Sequence, residues 1–108
     1  GNMGDIKEKA EQMRQELARR TVEAEAGAGA VRVTMTGTFE VTNVEIDPSM
    51  VSVLAGDGTD EDRAMIEELM LSAFNAAMEK AQVMVREETA KLTGGLNLPE
   101  GFDLPPSG

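Results

Sequence analysis

The stretch from Thr59 to Leu92 constrains this chain more than any other. It reads as one unbroken helix of about 32 residues, roughly 48 Å long at ~1.5 Å per residue. Thr59 and Asp62 have the spacing of a capping box, Asp60, Glu61 and Asp62 suit the positive end of a helix, and Gly94-Gly95 supplies the stop. A compact chain of about 100 residues has a radius of gyration of about 13 Å. The helix must therefore project beyond the body that anchors it. The acidic cluster at its start lacks the alternating ligands and distal Glu of a calcium loop, so capping accounts for it better than cation binding does.

The two halves of this helix differ. "LMLSAFNAAM", residues 69–78, is apolar nearly all round, which suits burial against a sheet and a second surface. From Glu79 onward polarity rises, and Ala77, Ala81 and Met84 continue a narrow stripe. A second helix is expected from about Gly4 to Arg20, where Ile6, Ala10, Met13 and Leu17 recur at steps of four, three and four. A seam that narrow suits a helical partner, so the N-terminal helix and the distal long helix are expected to form a two-helix arm.

Between the helices the period changes to two. Val22, Ala24 and Ala26 alternate with polar residues, Gly27-Ala28-Gly29 interrupts, and Val31, Val33 and Met35 resume the alternation. Two strands joined by a glycine turn explain the pattern, and "FEVTNVEID" after Gly37 makes a third, giving an antiparallel meander. In that third run Phe39 and Val41 fall on one face but Val44 and Ile46 on the other. Either a bulge near Thr42-Asn43 re-aims the chain, or both faces are partly covered. The fold class is thus α+β in one domain spanning residues 1–108, with residues 1–3 expected to stand outside the fold and residues 95–108 as an irregular Pro- and Gly-rich tail.

Composition narrows the chemistry. With no Cys and no His, the chain lacks the usual thiol nucleophile, the commonest general base and the commonest zinc ligands. Gly27 and Gly29 do not complete a dinucleotide fingerprint, because no third glycine and no helix follow them, and no P-loop Lys is present. Nothing in the sequence desolvates one carboxylate selectively, so no catalytic constellation emerges and neither cofactor nor metal is expected. No apolar run is long enough to span a membrane and no secretory signal opens the chain, so a cytoplasmic location is expected.

The net charge is −10, from 20 acidic and 10 basic residues, which on its face opposes binding to nucleic acid. The charge is uneven, however. From Asp5 to Arg20, Lys7, Lys9, Arg14, Arg19 and Arg20 face four carboxylates for a net +1, which leaves −11 for the remainder. Mixed charge of this kind is also what a solvated helix face carries.

The order helix, three strands, long helix, with "GAGAVRVTMTG", "VEIDPSM", "SAFNAAMEKA" and "LNLPEGFDLP", resembles the YbaB/EbfC family of bacterial nucleoid-associated DNA-binding proteins. The likeness runs from about Lys9 to Pro105. It implies a tweezer-like homodimer in the nucleoid whose helical arms grip duplex DNA. It also implies phosphate contacts from the matching basic residues Lys7, Lys9 and Arg14 of the first helix and Lys80, Arg86 and Lys91 of the long one. The sequence departs from the family pattern in lacking a Gly/Lys-rich N-terminus and in having Thr42-Asn43 where a basic pair often precedes "VEID". Two functions therefore stand side by side: sequence-independent DNA binding, and an acidic protein–protein interaction module built on the Met-rich helix.

Overall fold

A computed structural model describes residues 2–92. Helix α1 (Asn2–Arg19) leads into strands β1 (Thr21–Ala26), β2 (Val31–Thr36) and β3 (Val41–Ile46). A short helix α2 (Pro48–Ser52) and an irregular helical turn (Val53–Asp57) connect the sheet to helix α3 (Asp60–Leu92). Residues 2 and 3, expected to stand outside the fold, lie within α1. The tail over residues 95–108 falls outside the described residues. The segment between β3 and α3 contains α2, capped by Asp47: its Oδ1 accepts from Ser49 N at 2.9 Å and Ser49 Oγ at 2.7 Å. Those two bonds lower the Asp47 pKa.

The sheet is antiparallel in the order β1-β2-β3. Gly27, Ala28 and Gly29 all take positive φ, 65°, 55° and 88°, in the β1–β2 turn. Glycine adopts that region without a Cβ penalty, so the pair serves the turn. Of the two explanations for the phase shift in β3, the structure shows the bulge: Thr34 pairs with Asn43 but Met35 with Val41, leaving Thr42 as the extra residue. Phe39, before the strand, also has positive φ, 67°.

Val31, Val33 and Met35 of β2, with Ala24 of β1, are buried against Ala73, Ala77 and Ala81 of α3. Alanines at every fourth position form one flat ridge, which lets the helix backbone approach the sheet closely. Ala77 and Ala81 were expected to join the seam of the arm; they lie instead in this sheet–helix core. The seam itself is covered only at its C-terminal end, with Leu17 buried, Met13 half-buried, and Ala10 and Ile6 exposed. The N-terminus of α3 is closed by the reciprocal bonds of a capping box, Asp62 N to Thr59 Oγ1 at 3.1 Å and Thr59 N to Asp62 Oδ2 at 3.2 Å. The molecule extends 63 × 28 × 18 Å with a radius of gyration of 18.4 Å, well above that of a compact chain of this size, as the long helix requires.

Candidate nucleic-acid interface

Helix α1 runs back along the distal part of α3, and the two enclose an open cleft of about 370 Å³. Lys9, Gln12, Met13 and Glu16 line it from α1, and Glu88 and Lys91 from α3. The helices are tied by an ion pair between Arg20 Nη1 and Glu88 Oε1. Lys91 Nζ reaches the same Glu88 oxygen at 3.2 Å. The hydrogen bond from Lys91 is the main cause that holds the Glu88 carboxyl below its ordinary pKa, with Arg20 adding to it against an opposing effect of desolvation.

The six basic residues singled out in the sequence do not share one surface within a protomer. Lys9 and Lys91 meet in the cleft. Lys7 lies exposed on α1. Arg14 is held on α1 by Glu11, 2.7 Å from its Nη2, and each lends the other stability in the charged form: Glu11 is shifted down and Arg14 up. Arg86 borders a smaller apolar recess of about 220 Å³ with Phe39, Gln82 and Val85, on the side of the β2–β3 turn.

Lys80 points to the opposite edge of the sheet, where its Nζ donates to the Glu23 carbonyl at 2.8 Å. Gly37 N donates to Arg20 O, which places the hydrogen-bonded β1–β2 pairs at the even positions of β1. In an antiparallel ladder the intervening residues then turn their backbone groups outward, so Lys80 occupies a carbonyl on the free edge of β1.

Arg20 was not among the residues selected from sequence. Its partner Glu88 lies 68 positions away, and no local spacing could have indicated the pair. Most other arginines are also engaged internally. Arg19 pairs with Glu16 at 2.8 Å, and Arg32, on the outer face of the sheet, lies among Glu23, Glu25 and Glu45 at 3.5 to 3.8 Å. Among the described residues no cluster of three carboxylates is arranged to hold a metal ion, and no helix is long and apolar enough to cross a membrane.

A small α+β body with a two-helix arm, whose cleft is lined by Lys9 and Lys91 together with Glu16 and Glu88, defines a class of elongated protein. The chain belongs to the YbaB/EbfC DNA-binding family, whose model matches residues 1–96. It is 40% identical over 111 residues to the nucleoid-associated protein amb4104 of Paramagnetospirillum magneticum, with 96% of this chain and 97% of that protein covered. The crystal structure of the uncharacterized protein HP0035 from Helicobacter pylori shares the fold, with a TM-score of 0.72 at 19% identity over 87% of this chain and 91% of the other.

Proposed function

We propose that this protein binds duplex DNA as a nucleoid-associated protein, without sequence preference and without catalysis, and that two copies act together with their α1–α3 arms as the gripping elements. The observation that carries this reading is the meeting of Lys9 and Lys91 at the cleft between the two arm helices of a chain from a DNA-binding family. Lys7, Lys9, Arg14, Lys80, Arg86 and Lys91 supply the phosphate contacts, those of each copy being distributed along the arm and body. A second copy also has a surface to cover. Val41 and Val44 pair with buried Met35 and Val33 and so lie on the helix-bearing face of the sheet, but α3 packs on β1 and β2 and leaves both exposed. Leu71 and Met78 on α3 are exposed as well.

With −10 per chain, DNA approaches through local positive potential against a repulsive net field, so binding is weak and falls steeply with salt. The test is titration of duplexes of unrelated sequence at ~50 and ~200 mM salt, spanning the range over which counterion release separates binding strengths. The native protein should bind all of them alike at the lower salt and lose most affinity at the higher, while a Lys7/Lys9/Arg14→Glu variant should fail at both. Equal binding by the two proteins, or none by either at low salt, would sink the arm contacts.

The alternative of an acidic interaction module draws support from the outer sheet face, where Arg32 is surrounded by three carboxylates. It requires a basic protein partner and no DNA retention by the native chain at low salt.

A further inference from the structure

Arg20 follows the end of α1 and Lys91 lies in the last turn of α3, yet both address a single atom, Glu88 Oε1. The Glu88 side chain is largely enclosed, at 15% exposure, whereas that of Lys91 is 73% exposed. One anionic oxygen accepting from a guanidinium and an ammonium is the arrangement a phosphate oxygen takes between Arg and Lys. It sits on the wall of the same cleft that Lys9 and Lys91 share.

We propose that Glu88 is an internal stand-in for DNA phosphate: in the free protein its carboxylate fills the phosphate seat of the α1–α3 cleft, and DNA displaces it from Arg20 and Lys91. Glu88 is thereby a positioning residue that holds both side chains at the cleft, and Arg20 is an additional DNA contact. The inference rests on the DNA-binding reading and adds that binding at this seat is an exchange of one acceptor for another. An exchange of that kind gains less than two free cations would, because a carboxylate has to be released for each phosphate seated. It also keeps Arg20 and Lys91 paired with one shared carboxylate when no DNA is near.

Removing the stand-in should tighten binding. The measurement is fluorescence anisotropy of a labelled duplex with the full chain at ~50 to ~200 mM salt, comparing the native protein with Glu88→Gln, Glu88→Asp and Glu87→Gln. Glu87 is the control, because its side chain is exposed and makes no hydrogen bond or ion pair among the described residues, and the same charge is lost on substitution. Glu88→Gln should bind about 3- to 10-fold more tightly than Glu87→Gln at the lowest salt, because no carboxylate has to be released before the phosphate is seated. Glu88→Asp keeps the net charge and withdraws the oxygen by one methylene, so its binding should exceed that of the native protein for reasons of position alone. It also decides the matter if Glu88→Gln loosens the arm. Adding Arg20→Gln to Glu88→Gln should abolish the gain. Glu88 variants that bind no better than their controls, while the native chain binds, would overturn the stand-in alone. Absence of binding by every protein at low salt would overturn the DNA reading with it.

Discussion

At the residue scale, Phe39 shows where backbone chemistry and sequence pattern part company. Gly37 breaks the alternation before the third run, yet the left-handed conformation of the β2–β3 turn falls on Phe39, at φ 67°. Gly37 is needed for a different reason, its contact with α1. The turn is held by the buried Thr36. Its Oγ1 accepts from Thr38 N at 3.2 Å and Glu40 N at 3.1 Å, and its carbonyl accepts from Phe39 N at 3.0 Å. These bonds over-determine a conformation that costs an L-residue about 1–2 kcal/mol. Phe39→Gly and Phe39→Ala both delete the ring, but only glycine relieves the backbone. The glycine variant should be the more stable of the two by about 1 kcal/mol in urea denaturation. An alanine variant of equal or greater stability would show that the turn carries no such strain.

At the scale of elements, the junction between α1 and the sheet depends on Gly37. Its N donates to Leu17 O at 2.9 Å and to Arg20 O at 3.1 Å. A Cβ there would lie 2.8 Å from Leu17 Cβ and 2.9 Å from Leu17 O, and a backbone oxygen in a hydrogen-bonded turn has little room to move. Gly37→Ala should cost about 1–3 kcal/mol, as overpacking does, and should raise amide exchange in α1 before it does so in the sheet. The helices, the meander and the long cap were legible because each rests on a local period or on caps within a few residues. How far the α1 seam is covered was not. Ile6 and Ala10 carry the same periodicity as Met13 and Leu17, and only the register of α1 on α3 decides which of them is buried. Likewise Ala77 and Ala81 look alike as arm or core residues until the helix is laid on β1 and β2.

At the scale of the whole molecule, an elongated protomer leaves apolar surface along β3 and α3. The proposed second copy would bury Val44 against apolar surface, so Val44→Asp should convert a particle of twice the 11.5 kDa chain mass into a monomer in sedimentation at micromolar concentration. A native chain that sediments as a monomer would refute the pairing outright. The candidate site was legible only in part for a related reason. The basic residues can be counted from sequence, but their grouping depends on distant elements. Lys9 and Lys91 meet because α1 folds back on α3, while Lys80 and Arg86 are carried to opposite sides of the sheet.

The bond from Lys80 to the Glu23 carbonyl has a consequence for assembly. An ammonium placed on the outer rim of β1 hinders any other strand from adding there, and a charged lysine on an edge is one of the means by which sheets resist runaway stacking. The chain is thus sticky on one flank and guarded on the other. In the proposed pairing through the β3 flank, copies would use up their adhesive side in associating and would form a closed pair with no growing end.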